Sequence, residues 1–340
     1  MTQRVAINGF GRIGRSVLRA WLGHPSAWSS IDLVAINEIA DPETVLHLAR
    51  YDSTHGRFPT ALSGTANSLS FFDRTVRLLR EADVAGLPWE ALGVDVVLEC
   101  TGAFDDRDTA ARHIAAGAQR VLFSQPAQPD VDATIVFGLN HKVLKSTDTV
   151  VSAASCTTNC IVPILSLLDQ KLGIHNGVTT TIHSAMNDQP VIDSYHQTDL
   201  RLTRSALHSI IPVDTGLSRG IDRLLPNLAG RFECLHIRVP TINVSAMDMS
   251  INVKTATSVD EVNEILRLAA NGQYKNLLGY TDEPHASVDF NHDPRSSIVD
   301  GTQTRVSDGT LIKLMSWFDN EWGFANRMLD VADYWLSLKP

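Results

Sequence analysis

The chain has 340 residues, of which 44% are hydrophobic and 20% charged, with 38 acidic side chains against 29 basic ones and a formal net charge of −9. This composition excludes a disordered chain and suits two domains better than one. The acidic balance speaks against a general binder of nucleic acid or anionic membranes, no run approaches the ~18 apolar residues of a membrane helix, and four cysteines are too few for a disulfide scaffold.

The opening MTQRVAINGF has no signal-peptide core, so a reduced, cytoplasmic setting is the expectation. Arg4–Asn8 reads as a buried strand and Ile13–Leu22 as a helix. Further strands are expected at Ile31–Asn37, Asp95–Glu99, Arg120–Phe123 and Thr134–Phe137, with a helix over Arg107–Ala116. Apolar runs separated by helical stretches predict a parallel sheet with crossover helices. The second half has a different grain. A helix starts near Cys156 and runs through ILSLLDQKL, and longer strands follow at GVTTTIHSA and across Cys234–Lys254, where apolar and polar residues alternate as in a half-covered sheet. Ser258 and Glu261 form a capping box at the start of a helix. Another strand region begins at Asp300, and KLMSWFDNEW leads into a last amphipathic helix, Gly323–Leu338. Asn187–Ser209 has little regular pattern; an insert of that length is functional or packed against a partner.

Gly9-Phe10-Gly11-Arg12-Ile13-Gly14 fits G-x-G-x-x-G directly after a strand and at the opening of a helix. The first glycine permits a tight turn, the second lets backbone approach a pyrophosphate, and the third lets helix and strand pack closely. Glu38 ends the second strand, 24 residues past Gly14, where a carboxylate accepts ribose hydroxyls and repels a 2′-phosphate. No Arg follows within Ile39–Leu46, so NAD is favoured over NADP. Cys156, in SCTTNC, opens an apolar helix whose unpaired N–H groups and dipole favour the thiolate. Cys160 lies one turn further along the same face and reads as a packed small hydrophobe. A nucleophilic cysteine needs a base, and His183 in VTTTIHSA is the candidate. The cysteine and histidine spacings do not make a metal site. Arg201, Arg204, Arg219, Arg223 and Arg238 lie in the second half, and one or two of them would suffice to hold a phosphate.

VAINGFGRIGR, SCTTNC, TIHSA, RVPTINVS and SWFDNEWGF together resemble the glyceraldehyde-3-phosphate dehydrogenases, from the first strand to the last helix. INEIAD, HSAMNDQPVIDSYH, VDFNHDPRSSIVDGTQTRVS and WGFANRMLD look closest to the erythrose-4-phosphate dehydrogenase branch. The resemblance implies a Rossmann-type NAD-binding domain over residues 1–154, with the C-terminal helix 322–340 packing on it, and an α+β catalytic domain over 155–321 with a large, mostly antiparallel sheet. It implies Cys156 as nucleophile, His183 as base, and NAD held by Gly9 to Gly14, Glu38, Ser124 and Asn320, the last orienting the nicotinamide amide. Ser155, Thr157, Arg204, Thr215, Gly216 and Arg238 would line the substrate and phosphate sites. Two residues depart from the glycolytic pattern: Met186 stands at a phosphate-donating Thr and Leu202 at an Arg. Fewer anion donors mean weaker capture of free phosphate and a better chance for water at the acyl-enzyme. The implied activity is oxidation of D-erythrose 4-phosphate to 4-phosphoerythronate, a step of pyridoxal phosphate biosynthesis, in a homotetramer whose subunits pack through Asn187–Ser209. The alternatives are a phosphorylating glyceraldehyde-3-phosphate dehydrogenase of glycolysis and a non-catalytic NAD-binding scaffold or regulator.

Overall fold

Residues 2–24, 26–197 and 199–338 are described by the computed structural model. The chain divides into two units, Met1–Ser155 with Ala325–Pro340, and Cys156–Phe324.

The first unit runs β1 (Gln3–Asn8), α1 (Arg12–Gly23), β2 (Ile31–Asn37), α2 (Pro42–Arg50), β3 (Tyr51–Asp52), β4 (Gly56–Arg57), β5 (Leu62–Thr65), β6 (Ser68–Phe71), β7 (Arg74–Leu79), α3 (Trp89–Leu92), β8 (Val96–Glu99), α4 (Arg107–Ala115), β9 (Arg120–Phe123), β10 (Ala133–Thr134) and β11 (Val150–Ser152). Nine strands form one sheet in the order β10-β11-β9-β8-β1-β2-β7-β6-β5. Strands β10 through β7 pair in parallel, and β7-β6-β5 add an antiparallel meander. The central strands are apolar and covered on both faces; all of Val96–Glu99 is buried, as a parallel strand between helical layers requires. The chain passes from β1 to β2 on one side and later returns to β8 on the other, so strand order reverses at β1, the switch point where such sheets bind ligands.

Register places Asn8 beside both Asn37 and Glu99 at the carboxyl ends of the three middle strands. Asn37 Nδ2 donates to Asn8 Oδ1 at 2.7 Å and Asn8 Nδ2 to Glu99 Oε2 at 2.6 Å. Glu99 also takes His113 Nε2 at 3.0 Å, and His113 Nδ1 accepts from Trp89 Nε1 at 3.0 Å. This buried polar row fixes the strand ends from which the glycine turn departs. The segment from Ala325 closes the same unit: Trp28 Nε1 donates to Asp330 at 2.8 Å, and the Arg120 guanidinium lies 5.3 Å from the Trp335 ring.

Two expectations are corrected here. Thr134–Phe137 contributes strand only at Ala133–Thr134, and the next strand is β11. The sheet also extends antiparallel beyond β7, through short segments whose alternation is too brief to stand out in sequence.

The second unit begins with α5 (Cys156–Leu172), buried along most of its length, followed by β12 (Ile174–His183), β13 (Ile211–Val213), α6 (Leu217–Leu224), β14 (Phe232–Arg238), β15 (Ser245–Val253), α7 (Val259–Asn271), β16 (Leu278–Thr281), β17 (Ser297–Asp300), β18 (Arg305–Ser307) and β19 (Leu311–Phe318); α8 (Trp322–Ser337) starts here and ends in the first unit. The sheet order is β13-β14-β12-β15-β19-β17-β16, with β18 on β19. The pairs β12–β14 and β16–β17 are parallel and the others antiparallel. The long run Cys234–Lys254 is two strands rather than one: the chain turns between Arg238 and Ser245, with Val244 at φ 63°. The strand region expected from Asp300 onward starts later, at Arg305, as β18 and β19; Asp300 itself ends β17 and a 3-10 turn over Gly301–Gln303 intervenes. Among the described residues no helix is long and apolar enough to cross a membrane.

Candidate active site

In the first unit, the glycine turn is dictated by space. Gly9 has φ 90°, and a Cβ there would lie 2.5 Å from the Thr101 nitrogen. A Cβ on Gly14 would lie 2.3 Å from the Gly9 carbonyl oxygen, so α1 can sit this close to the turn only as glycine. A Cβ on Gly11 would meet nothing within 4 Å. Gly11 is also the N-cap of α1 and supplies no capping side chain, so the helix N-terminus opens onto the space a phosphate would take. Glu38 Oε2 accepts from Phe10 N–H at 2.9 Å and Oε1 from Ala40 N–H at 3.2 Å, which ties the carboxylate to the turn. A carboxylate has about four acceptor sites, so ribose hydroxyls still find room. Arg12 at the start of α1 pairs with Asp52 at 2.5 Å, and Ser124 follows β9, its N–H on the Glu99 carbonyl at 3.0 Å. These residues fit a dinucleotide.

In the second unit, Cys156 opens α5 two residues after Ala154, which holds a left-handed φ of 60°. His183 ends β12 with Nε2 3.8 Å from Cys156 Sγ. Its Nδ1 lies 2.8 Å from the Ser184 carbonyl oxygen. A carbonyl only accepts, so Nδ1 carries the proton and Nε2 faces the thiol with a free lone pair. Burial pushes His183 down to about 4. Burial also pushes the Cys156 thiol up to about 12, against the pull of the Thr157 backbone N–H. The N–H groups at the start of α5 pull toward the thiolate, and burial pulls the other way. Cys160 is shut away one turn further in, its Sγ 3.3 Å from the hydroxyls of Ser297 and Ser316.

Register sets Arg238 of β14 directly beside His183. Arg238 is 8% exposed; its guanidinium meets Asp188 and, at 3.4 Å, Gln189 Oε1. Asn320 Oδ1 accepts from the hydroxyls of Ser184 at 3.1 Å and Ser245 at 2.9 Å, which orients its amide nitrogen as a donor. Asp319 fixes that turn: Oδ1 takes the N–H groups of Glu321 and Trp322, and Oδ2 takes Asn243 Nδ2 and His292 N–H.

Thr157 is buried in the first turn of α5, and Ser155 directly precedes that helix. Thr215 and Gly216 stand at the start of α6, where Thr215 Oγ1 accepts from Leu217 N–H at 3.2 Å. One turn on, Gly220 meets Thr158 of α5, its missing Cβ leaving just enough room. Arg204 is not drawn in: it is exposed and pairs with Asp193 at 2.9 Å. Met186 is 46% exposed and Leu202 is buried in a short 3-10 turn. Sequence reasoning missed Asp188, Gln189, Ser184, Ser245, Asp319 and His236. For His236 a signal existed, since residues 236 and 238 of one strand share a face.

Residues 3–107 match the glyceraldehyde 3-phosphate dehydrogenase NAD binding domain, and residues 155–320 match the glyceraldehyde 3-phosphate dehydrogenase C-terminal domain.

Proposed function

The chain belongs to the glyceraldehyde-3-phosphate dehydrogenase family and binds NAD; from that premise we propose that it oxidises D-erythrose 4-phosphate to 4-phosphoerythronate, with water as the acyl acceptor. The Cys156–His183 pair carries the reading of the chemistry. His183 Nε2 takes the thiol proton as sulfur attacks the aldehyde carbon, and the carbonyl oxygen, protonated in turn, becomes the hydroxyl of a thiohemiacetal. His183 then takes that hydroxyl proton as the C–H bond breaks and a thioester remains on Cys156. NAD, when bound, supplies the acceptor for the hydride. The backbone N–H of Cys156 stabilises the oxyanion. His183 gives the hydroxyl proton up to solvent; water then attacks the thioester as His183 takes its proton and passes it to the departing sulfur, and the acid is released. Gly9 to Gly14, Glu38 and Ser124 hold the cofactor, Asn320 presents its Nδ2 to the nicotinamide amide, and Arg238 holds the substrate phosphate.

Met186 supports water over phosphate. It stands half-exposed on the segment that leads from His183 to Asp188, where a thioether donates nothing to an anion. Thr157 and Thr215 leave some donors in place, so the acyl acceptor is the point to measure. The test compares kcat/KM for D-erythrose 4-phosphate and D-glyceraldehyde 3-phosphate with and without inorganic phosphate. The tetrose is preferred and phosphate is dispensable; a strict phosphate requirement with preference for the triose overturns the reading in favour of the glycolytic reaction.

A homotetramer is part of the same proposal. Ile192, Tyr195 and Leu200 in the segment 187–209 are 75%, 103% and 82% exposed, an apolar surface that a second copy would cover. Light scattering on the eluting protein gives the assembly mass, and a monomer would count against it.

A further inference from the structure

Glu99 ends β8 at the switch point of the first unit and is 1% exposed, so what it touches is protein. Four donors converge on its carboxylate. Oε1 accepts from the Thr101 N–H at 2.9 Å and from the Thr101 hydroxyl. Oε2 accepts from Asn8 Nδ2 at 2.6 Å and from His113 Nε2 at 3.0 Å. A carboxylate has about four acceptor positions, so all of them are occupied. The directions of these bonds follow from groups that have no choice. The Glu81 N–H can only donate, and it meets Asn37 Oδ1 at 2.9 Å. Asn37 must then turn Nδ2 toward Asn8 Oδ1 and the Glu81 carbonyl, which leaves Asn8 Nδ2 for Glu99. The Trp89 indole N–H can only donate as well. His113 Nδ1 accepts it, so the ring proton sits on Nε2 and points at Glu99.

The two oxygens serve different parts of the unit. Oε2 looks back into the fold, to β1 and α4. Oε1 holds the turn at Thr101 and Gly102, where Thr101 is exposed and Gly102 has φ 72°. A Cβ on Gly9 would lie 2.5 Å from the Thr101 nitrogen and 2.6 Å from its Cα. The glycine turn and the Thr101 turn are therefore in contact, backbone on backbone, at the carboxyl ends of β1 and β8. In open parallel sheets a dinucleotide lies in the crevice outside those ends.

We propose that Glu99 is a positioning residue for the cofactor: its Oε1 pins Thr101 against the glycine turn and sets the width of the crevice, while Oε2 ties that setting to the buried strand ends. The proposal rests on the binding of NAD and on no particular aldehyde.

Glu99→Gln separates the two arms, because its amide can face either way. With the NH2 toward Asn8 and His113, it meets two donors whose directions are already fixed. With the oxygen there, both of those bonds are kept and the NH2 faces Thr101, whose hydroxyl turns to accept while its N–H loses its partner. The second arrangement leaves fewer buried groups unpaired. The substitution thus unties Thr101 and spares the buried row.

The experiment is calorimetric titration with NAD, beside a melting temperature for each variant. Glu99→Gln weakens NAD binding ~10-fold, as expected for loss of one hydrogen bond to a charged group, and in turnover the KM for NAD rises while kcat holds. Trp89→Phe removes the N–H from His113 at the far end of the Oε2 arm. It lowers the melting temperature more than Glu99→Gln does and leaves NAD affinity within about twofold, since the Thr101 arm is untouched. An unmoved NAD affinity in Glu99→Gln, or a loss in Trp89→Phe as large as in Glu99→Gln, overturns the proposal. If Glu99→Gln does not fold, the exposed end of the same arm decides: Thr101→Val weakens NAD binding ~5-fold and Thr101→Ser, which keeps the hydroxyl, does not, whereas equal affinities in that pair overturn the proposal. The titration needs no aldehyde. A weakened Glu99→Gln in a protein that oxidises neither sugar phosphate upholds the positioning role and sinks the proposed reaction; an unmoved affinity in an active enzyme does the reverse.

Discussion

The glycine turn of the first unit and the cysteine–histidine pair of the second are two ways to build a site. The turn is six consecutive residues, and it works through backbone N–H groups and missing Cβ atoms. The pair joins the first residue of α5 to the last residue of β12, 27 positions apart, with β14 and the turn after β19 completing the surroundings. The turn is defined by what would collide; the pair is defined by what a proton would do. Damage to the first should therefore read out as strain and lost cofactor affinity, and damage to the second as lost chemistry with the fold and the cofactor affinity intact.

Cys156→Ala gives the largest separation of the two. Turnover should fall by ~10⁶-fold, as for loss of a nucleophile elsewhere, while calorimetry finds NAD affinity within about twofold. A parallel loss of NAD affinity would break the comparison. His183→Gln comes next, at ~10²–10⁴-fold in kcat, the usual worth of a positioned general base. The acid limb of the rate profile should vanish with it, because the group whose protonation stops the reaction is gone.

Glycine changes test the other side. Gly9→Ala combines a positive φ with a Cβ 2.5 Å from the Thr101 nitrogen, and should cost about 3 kcal/mol of stability together with most of the NAD affinity. Gly11→Ala meets no atom within 4 Å. Its melting temperature should hold, while NAD affinity drops ~10-fold, since the new methyl occupies space the pyrophosphate needs. If Gly11→Ala destabilised the protein as much as Gly9→Ala, the turn would be a packing device and not a cradle.

Legibility in the sequence follows the same divide. The turn, Glu38 and the parallel strands around β1 were readable because each is local: a strand, a glycine spacing and a carboxylate at a strand end stand close together in the chain. Cys156 was readable as the first residue of a helix, but the burial that opposes its ionisation was not, because it depends on residues distant in the chain. His183 could be picked out only as a candidate, since no spacing reveals that β12 ends 3.8 Å from the sulfur. Asp188 and Gln189 on Arg238 were invisible for the same reason. The antiparallel meander β5–β7 was missed because each strand spans only four to six residues, and one or two buried apolar positions per strand are too few to register as alternation.

Asn320 stands between the two cases and gives the smallest and sharpest test. The turn Asp319-Asn320-Glu321-Trp322 is contiguous, like the glycine turn, and its capping of α8 by Asp319 is local. The orientation of the Asn320 amide is not local: it depends on hydroxyls from Ser184, 136 residues away, and Ser245, 75 residues away. Ser184→Ala and Ser245→Ala should each remove about 1 kcal/mol, or about a fivefold factor, from NAD binding if that amide receives the nicotinamide. The double variant should cost more than the sum, because in each single variant the remaining hydroxyl still orients Oδ1. Alkylation of Cys156 by iodoacetamide should keep its rate, since neither hydroxyl touches the sulfur or Nε2 of His183. A changed alkylation rate would mean that the serines support the catalytic pair itself, and Asn320 would then belong with the chemistry and not with the cofactor.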